Sequence, residues 1–401
     1  SSSVFKILNS GDFLSDVDSD DLIARNTAKL SGLICEKGLR YDLTVPFARY
    51  VVQHRDKILF PFRRYQIQPV WRADRPQKGR YREFFQCDVD VIGSDSLLNE
   101  YELVRIIDEI FTKLKINVVT KINNRKLLAG IAEYIGEENR IIDITVAIDK
   151  LEKIGADAVN KELIEKGVSS KAVAKLQPLL KLEGSAAFKF EKLTELLSHS
   201  VTGMKGIAEL RELFSYFDTG LLKASPELDL TLARGLNYYT GTIIEVKAAD
   251  VNIGSICGGG RYDNLTGVFG LAGISGVGIS FGADRIYDVM THLDLFDSRE
   301  TSLSKVLVLN FGNSAFEYAF KILSLLRSLD IRSEFYPDPV KIKKQITYAN
   351  GRKIPYILMA GDDEIKADIV TVRNMTSGQQ QKVPFGNLKE YLILELSKDS
   401  L

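Results

Sequence analysis

The chain has 401 residues, of which 45% are hydrophobic and 26% are charged, and its 53 basic and 53 acidic side chains give no formal net charge. This composition predicts a folded protein of two or three domains. It excludes a protein that binds nucleic acid through bulk positive charge, so any basic site has to be a local patch.

The predicted elements begin with a mixed α and β region. In chain order they are a strand at 4–9, a helix at 43–54, strands at 64–74 and 81–93, a helix at 97–114, and a further helix opened by residues 121–125. Residues 75–79 contain Pro and Gly and are typical of a loop between the two long strands.

Residues 145–226 differ from the rest because they are rich in Lys, Glu, Leu and Ala with helical periodicity, and they are interpreted as a helical insertion. After it the pattern predicts strands at 228–233 and 241–248, a glycine-dense turn at 254–260, a helix from 263, a strand at 273–282 and a helix at 284–293. The predicted domains are therefore one formed by 1–144 and 227–300, the insertion at 145–226, and 301–401.

The last hundred residues alternate between strand and helix patterns. Strands are expected at 305–311, 331–336, 355–360 and 369–374, and helices at 314–329, 340–350 and 388–396. Such alternation predicts a separate α/β domain.

The spacing of cysteines, histidines and apolar runs narrows the class of protein. Cys35, Cys87 and Cys257 are far apart, and the three histidines show no ligand spacing. This argues against a disulfide framework or a protein-held metal site and predicts a cytoplasmic protein. No apolar run reaches the roughly 18 residues of a membrane span, so no membrane partner is expected. The first residues do not form a signal peptide.

The densest chemical signal lies around the two long strands. Nine basic residues fall between Arg55 and Arg82, and only Asp56 and Asp74 oppose them. Arginine forks suit phosphate oxygens, whereas a solvated hairpin with basic edges is the usual structural explanation of such a run. Arg72 favours the first reading because it falls inside a predicted strand beside Trp71, where a charge needs a partner.

Three further motifs follow the predicted helical insertion. They are Leu-Ala-Arg-Gly-Leu-Asn-Tyr-Tyr at 232–239, Gly-Gly-Gly-Arg-Tyr-Asp at 258–263, and a glycine-alternating strand that ends in Gly-Ala-Asp-Arg at 282–285. A buried Arg234 would need an anionic partner, either a structural carboxylate or a ligand phosphate. The glycines permit either close approach of a ligand or a tight bend, so each motif alone leaves both explanations open.

Together the four motifs resemble the catalytic core of class II aminoacyl-tRNA synthetases. The run Arg-Ala-Asp-Arg-Pro-Gln-Lys-Gly-Arg-Tyr-Arg-Glu-Phe from Arg72 resembles motif 2, and Gly-Ala-Asp-Arg resembles motif 3. The segments at 232–239 and 258–263 are similar to two signatures of the histidyl-tRNA synthetase family. The resemblance implies an α+β fold, in which residues 1–144 and 227–300 form one catalytic domain with an antiparallel sheet and residues 301–401 form an anticodon-binding domain. It also implies a ligase that joins histidine to its tRNA through histidyl-adenylate.

The resemblance also implies roles for individual residues. Arg72 and Arg234 would be catalytic at the ATP α-phosphate, with Arg234 also near the histidine carboxylate, in a place that other class II enzymes give to a metal ion. Phe84 and Arg285 would hold the adenine, and Asp74 would belong to the ATP site. ATP would be a substrate accompanied by Mg²⁺.

The implied histidine pocket is larger. Asp42 and Thr44 would hold the α-amino group, Gln86 would lie near the carboxylate, and Asp90 and Tyr239 would read the two imidazole nitrogens, with Arg80, Tyr238, Tyr262 and Arg234 lining the pocket. A carboxylate and a hydroxyl can satisfy both ring nitrogens, which an apolar side chain cannot do. The alternatives are a helix N-cap for Asp42 and an ordinary strand ion pair for Asp90.

Some features depart from the usual family pattern. Asp42, Asp74 and Asp284 stand where Glu is usual, Asn237 stands where Asp is common, and Tyr41 and Leu43 replace Pro and Gly. Motif 1, which builds the dimer interface in the family, would precede residue 4 and is missing, so the chain is expected to be incomplete at that end. A homodimer is nevertheless expected of the family.

Two other functions are compatible with the same fold, and the tail contains a cluster of basic residues. A regulatory paralogue would have lost the ATP arginines or the tail, and a structural RNA-binding protein would not need a small-molecule pocket; both rank below the ligase. In the tail, basic residues that could meet RNA phosphates, or form a solvated helix face, are Lys341, Lys343, Lys344, Arg352 and Lys353.

Overall fold

The computed structural model describes residues 3–233, 238–296 and 304–398. The chain divides into two units, Ser1–Leu295 and Phe296–Leu401. Among the described helices, none combines the length and the apolar character needed to cross a bilayer.

A seven-stranded sheet is the centre of the first unit, with strand order β3-β4-β9-β8-β7-β5-β6. All its pairings are antiparallel except β5 with β6. The strands of this unit are β1 (Lys6–Ile7), β2 (Lys37–Gly38), β3 (Phe62–Trp71), β4 (Glu83–Ile92), β5 (Val118–Asn124), β6 (Glu227–Leu228), β7 (Thr242–Ala248), β8 (Ser255–Arg261) and β9 (Gly276–Gly282). An antiparallel sheet can bury one face while the other stays open to a ligand.

The helices of the first unit fall into two groups. Those outside the insertion are α1 (Ser19–Ile23), α2 (Thr27–Ile34), α3 (Thr44–Gln53), α4 (Leu98–Lys113), α5 (Arg125–Ile135) and, as numbered in chain order, α11 (Ala283–His292). Between α5 and β6 lie only helices: α6 (Ile141–Ile148), α7 (Leu151–Glu165), α8 (Ser170–Leu180), α9 (Ala186–Leu196) and α10 (Val201–Phe217). The helical insertion is therefore present as a run of helices, although its boundaries stay predictions.

The second unit is a five-stranded mixed sheet with order β11-β10-β12-β13-β14 and its own apolar core. Its strands are β10 (Val306–Val308), β11 (Ser333–Phe335), β12 (Tyr356–Met359), β13 (Ile369–Asn374) and β14 (Gln380–Pro384). Its helices are α12 (Phe316–Ser328), α13 (Ile342–Gly351), α14 (Asp362–Lys366) and α15 (Leu388–Lys398). The predicted α+β class is confirmed: one unit has a mainly antiparallel sheet, and the other alternates strand and helix.

Several local predictions were wrong. The glycine-dense segment at 254–260 is mostly strand β8 and not a turn, and residues 118–124 form strand β5 where only a helix start was expected. The predicted strand at 228–233 shrinks to Glu227–Leu228, and the predicted helix from 263 is one short 3₁₀ turn, Thr266–Phe269. Sequence patterns place a glycine-rich strand poorly because glycine normally weakens strands.

Candidate active site

The site lies on one face of the central sheet, where strands β3, β4, β8 and β9 run side by side. Alternate residues of β4 project to the same face, so Gln86, Asp88 and Asp90 stand in one row, and all three are buried. The loop before α3 brings Asp42 to the same place, since Asp42, Asp88 and Asp90 act on one another electrostatically. The result is a row of acidic side chains beneath a cleft.

Asp90 is bound on both of its oxygens. The hydroxyl of Tyr262 donates to Asp90 Oδ1 at 2.7 Å, and Arg64 Nη2 lies 2.9 Å from Oδ2. Burial raises the pKa of Asp90 although Arg64 opposes that shift. The strand ion pair considered as an alternative for Asp90 is therefore real, but each carboxylate oxygen has a second lone pair that a ligand can use.

Arg64 is a site residue that sequence reasoning left without a role. Its guanidinium lies 4.0 Å from the centre of the Phe47 ring and donates to the carbonyl of Leu43 at 3.2 Å. The charge is therefore held between α3 and β4, where it balances Asp90. The basic run from 55 to 82 was a signal, but nothing in it distinguished Arg64 from its neighbours.

Asp42 belongs to the acidic row more than to a helix cap. The first residue before α3 is Leu43, and Asp42 accepts from the backbone N–H of Val45 at a long 3.4 Å. Tyr238 donates to the other carboxylate oxygen at 3.5 Å, and Thr44 also hydrogen-bonds Tyr238. Burial raises the pKa of Asp42, and the Arg72 charge works against that rise.

An aromatic wall closes this end of the cleft. Tyr238 lies edge-on to both Tyr239 and Tyr262, with ring centres 5.1 Å and 6.2 Å apart. Burial raises the pKa of all three phenols, so they stay protonated at neutral pH and can donate a hydrogen bond. The structure thus brings together seven of the residues predicted to bind histidine: Asp42, Thr44, Gln86, Asp90, Tyr238, Tyr239 and Tyr262.

Two glycines of β9 make room for these side chains. A Cβ on Gly278 would lie 2.0 Å from Asp90 Oδ1, and one on Gly276 would lie 2.4 Å from the Tyr262 ring. Main-chain atoms of β9 are therefore the wall against which Asp90 and Tyr262 rest. The glycines at these two positions accommodate protein side chains, whereas the sequence had suggested close approach of a ligand or a tight bend.

The basic end of the cleft contains the residues predicted to bind ATP. Arg72, Asp74, Phe84 and Arg285 all line one pocket, together with Gly258, Ser280 and Gly282. The Arg72 guanidinium lies 4.5 Å from the Tyr41 ring and 5.1 Å from the Phe84 ring, and its Nε donates to the Tyr41 carbonyl. Because Tyr41 precedes Asp42, Arg72 stands at the junction between the basic and acidic ends.

Arg285 also closes a loop over this pocket. Its Nε donates to the carbonyl of Gly79 at 2.5 Å and its Nη1 to that of Ser255 at 2.6 Å. Nearby, the Tyr81 hydroxyl donates to Asp288 Oδ2 at 2.6 Å. The loop between β3 and β4 is thus fastened to β8 and α11.

One predicted residue, Arg80, is not joined to the acidic row, and another is not among the described residues. Arg80 is half exposed and pairs with Asp74 at 3.7 Å, on the side of the nucleotide pocket. Arg234 lies outside the described residues. In the part of the chain that the structure describes, no cluster of three His, Cys, Asp or Glu side chains could hold a metal ion.

In the Gly-Gly-Gly-Arg-Tyr-Asp motif at the end of β8, Arg261 and Tyr262 contact different groups. Tyr262 turns to the pocket, whereas the fully buried Arg261 makes two hydrogen bonds of 2.6 Å to Glu100. Arg261 also donates to Ser275, which in turn donates to Asp263. This network anchors β8 to α4 and holds Tyr262 in place.

The chain is similar to known proteins in its family, its sequence and its structure. A family model described as Histidyl-tRNA synthetase matches residues 35–286, and one described as Anticodon binding domain matches residues 305–395. A protein of Bacteroides fragilis (strain YCH46) named "Histidine--tRNA ligase" is 60% identical over 95% of this chain and 84% of its own length. A protein of the same name from Porphyromonas gingivalis is 54% identical over the same shares.

Solved structures give the same result. The crystal structure of histidyl-tRNA synthetase from Nostoc sp. PCC 7120 superposes with a TM-score of 0.79 at 31% identity, covering 89% of this chain and 84% of that one. A Bacillus halodurans structure titled as an ATP phosphoribosyltransferase regulatory subunit/histidyl-tRNA synthetase matches with a TM-score of 0.67 at 20% identity, covering 87% and 81%. The second match bears on the fold alone.

Proposed function

Because the chain belongs to the histidyl-tRNA synthetase family, we propose that its first unit activates histidine with ATP, releases pyrophosphate, and then transfers histidine to the 3′ end of its tRNA. One observation carries the proposal: a pocket lined by arginines and by Gln86 adjoins a buried cluster of carboxylates and tyrosines on the same sheet face. The arginines suit phosphate, and the carboxylates and tyrosines suit the ammonium and imidazole groups of histidine. A regulatory protein would not need the arginine-lined pocket.

Activation joins a histidine carboxylate oxygen to the α-phosphorus of ATP, and the bond from that phosphorus to pyrophosphate breaks. Negative charge grows on the phosphate oxygens as the new bond forms. Preorganised positive charge at that point lowers the barrier. Arg72, held against Tyr41 and Phe84 at the junction of the two ends, is the described residue suited to this work, and we assign Arg234 the same task from its motif.

The remaining ATP contacts follow from the shape of the pocket. Phe84 offers an aromatic face and Arg285 a planar guanidinium within one pocket, and both surfaces suit an adenine ring. Mg²⁺ would arrive with the nucleotide, because it prefers phosphate and carboxylate oxygens. Asp74 and Asp284 line the same pocket and are candidates for the carboxylate contacts.

Histidine would lie over the row formed by Gln86, Asp88 and Asp90. Asp90 and Tyr239 are proposed to read the two imidazole nitrogens. Tyr262 and Arg64 fix the orientation of Asp90, and the raised pKa of Tyr239 keeps its hydroxyl available as a donor. A site that hydrogen-bonds both ring nitrogens discriminates strongly against side chains that lack them.

The second unit would bind the anticodon. It matches the anticodon binding domain model, and the five predicted basic residues, Lys341, Lys343, Lys344, Arg352 and Lys353, are all exposed on or beside α13. Arg352 already pairs with Glu334 at 3.6 Å, so the lysines are the stronger candidates for phosphate contacts. A homodimer that works in the cytoplasm is part of the proposal; light scattering tests the dimer.

The experiment that tests the function is histidine-dependent exchange of pyrophosphate into ATP, followed by charging of histidine tRNA. Exchange is expected with histidine and not with the other standard amino acids. A folded protein that shows no histidine-dependent exchange would contradict the proposal.

A further inference from the structure

Among the described residues, the three carboxylates of the acidic row, Asp42, Asp88 and Asp90, have two cations close to them, Arg64 and Arg72. Asp90 has Arg64 at 2.9 Å, and Asp42 is influenced by Arg72. Asp88 lies two residues before Asp90 on β4, with 2% of its surface exposed, and both Asp90 and Asp42 act on it electrostatically. Within the described residues, Asp88 has no basic side chain at ion-pair distance.

The groups that face Asp88 are otherwise neutral or negative. They are Asp90 on its own strand, Asp42 on the loop before α3, Ser280 on β9, the Cys257 thiol on β8 and the Tyr239 phenol, with Arg64 on β3 as the positive charge beyond Asp90. Gln86 Nε2 reaches it at a long 3.4 Å. A carboxylate in this setting is costly unless a ligand supplies the missing positive charge.

A neighbouring atom supports the same conclusion. Gln86 is more than nine-tenths buried, and its Nε2 donates to Ser280 Oγ at 2.6 Å. Its Oε1 has no hydrogen-bond partner among the described residues. An unused acceptor next to an unbalanced carboxylate suits a donor that carries several hydrogens and a positive charge, such as an ammonium group.

We propose that Asp88 is a further substrate-binding residue, whose carboxylate receives the α-ammonium group of histidine. This rests on the proposed function, since it assumes that histidine occupies the pocket. At neutral pH the ammonium is charged, whereas an imidazole with its ordinary pKa of about 6.5 is mostly neutral. The ammonium is therefore the cation that histidine brings to the site.

Binding is then coupled to the loss of a proton. Burial and the nearby Asp90 charge raise the pKa of Asp88 to about 7, so the empty pocket holds it partly protonated at neutral pH. When the ammonium arrives, the Asp88 O–H bond breaks, the electron pair stays on the carboxylate, and the proton leaves to solvent. The product is an ammonium–carboxylate pair.

The test is calorimetric titration of histidine into the protein in two buffers of different ionisation enthalpy, combined with exchange kinetics. Wild type is expected to release about half a proton per site at pH 7, as follows from a pKa near 7. Asp88→Asn is expected to remove most of this release and to raise the KM for histidine about 10- to 100-fold, with the KM for ATP unchanged. Asp56→Asn, at an exposed carboxylate, is the matched control and should behave as wild type.

Two ligands separate the ammonium from the ring. Histidinol keeps the amine and lacks the carboxylate, whereas imidazolepropionate lacks the amine. Asp88→Asn should weaken the binding of histidinol and leave the binding of imidazolepropionate unchanged. Equal weakening of the binding of both ligands would overturn the assignment of Asp88 to the ammonium group. If the variant does not fold, wild type still tests the inference: equal proton release with histidinol and imidazolepropionate, or no release with histidinol, would overturn it.

Failure of this inference is distinct from failure of the proposed function. Unchanged histidine KM and unchanged proton release in Asp88→Asn would overturn the role of Asp88, while histidine-dependent exchange by wild type would leave the function standing.

Discussion

Buried charges decide the behaviour of single residues in this pocket. Arg64 and Asp90 are almost fully buried and 2.9 Å apart, so each depends on the other for its missing hydration. Removing one partner of such a pair leaves an uncompensated buried charge, which typically costs about 3–5 kcal/mol. The pair therefore supports the shape of the pocket as well as its charge.

Arg64→Gln is expected to lower the free energy of unfolding by roughly 2–4 kcal/mol at pH 8. Loss of the Arg64 charge raises the pKa of Asp90 further, and a carboxyl whose folded-state pKa is raised contributes stability that is lost as pH rises. The deficit should therefore be smaller at pH 5 than at pH 8. Denaturant unfolding at both pH values measures it, with Arg63→Gln, at an exposed arginine, as control. A deficit that does not change with pH would contradict the explanation.

Asp88→Asn is expected to stabilise the folded protein at alkaline pH. Because the pKa of Asp88 is raised to about 7, ionising it costs folding free energy as the pH climbs through 7. The variant should gain roughly 1–3 kcal/mol over wild type at pH 8 and little at pH 4. Thermal unfolding across that pH range shows whether the gain in stability grows with pH. A gain that is largest at low pH would contradict the prediction.

Arg234→Ala is expected to leave the fold intact and to lower the rate of adenylate formation about 100- to 1,000-fold, since its proposed work is to stabilise charge on the phosphate. Pyrophosphate exchange at saturating histidine and ATP measures the loss. Normal activation kinetics would refute the role.

The sequence motifs predicted most of the candidate site residues but not Arg64 and Asp88. Seven of the nine residues predicted to contact histidine meet in one buried pocket, because their motifs are tied to particular strands and turns. Arg64 and Asp88 could not be assigned from sequence. Their importance comes from their burial and from the charges that lie opposite them across β3, β4 and β9. Burial and charge pairing are properties of the fold, and the amino-acid sequence alone does not show them.

At the scale of elements, two hydrogen bonds hold the loop between β3 and β4 over the proposed nucleotide pocket. Arg285 donates to the Gly79 carbonyl and is itself anchored to Ser255 of β8, and Tyr81 donates to Asp288 on α11. The Asp288 hydrogen bond, together with burial, raises the pKa of Tyr81 to about 12, so this donor stays protonated at physiological pH. The loop is thus fixed from both β8 and α11.

Tyr81→Phe is expected to raise the KM for ATP about 2- to 5-fold, because one hydrogen bond at a partly exposed site contributes about 0.5–1 kcal/mol. The KM for histidine should not change, since Tyr81 is not part of the acidic row. Tyr65→Phe, at an exposed tyrosine of β3, is the control. An unaltered KM for ATP would show that the hydrogen bond does not hold the loop.

Strand β8 shows why the elements were predicted unevenly. A Cβ on Gly259 would lie 2.0 Å from the Gly278 carbonyl oxygen, and one on Gly260 would lie 2.5 Å from that of Thr242. Close packing against β7 and β9 thus requires glycine in a strand, although glycine by itself indicates a turn. The helices between α5 and β6 were predicted well because their apolar positions repeat with a helical period.

The whole molecule consists of two units, each with its own buried apolar core. This organisation predicts that the first unit can carry out activation while tRNA recognition depends on both. A chain ending at Leu295 is expected to keep histidine-dependent exchange within a few-fold of the full chain and to lose most tRNA charging. Loss of exchange in a truncated chain that circular dichroism shows to be folded would contradict this division of labour.

The main-chain wall that β9 presents to Asp90 and Tyr262 restricts how this enzyme can be re-engineered for other amino acids. Most binding pockets can be reshaped by exchanging one lining side chain for another, but Gly276 and Gly278 have no smaller replacement. Any larger residue collides with Asp90 or Tyr262, which are proposed to bind the substrate. Libraries aimed at accepting bulkier histidine analogues should therefore vary the tyrosine side of the cavity and keep both glycines fixed.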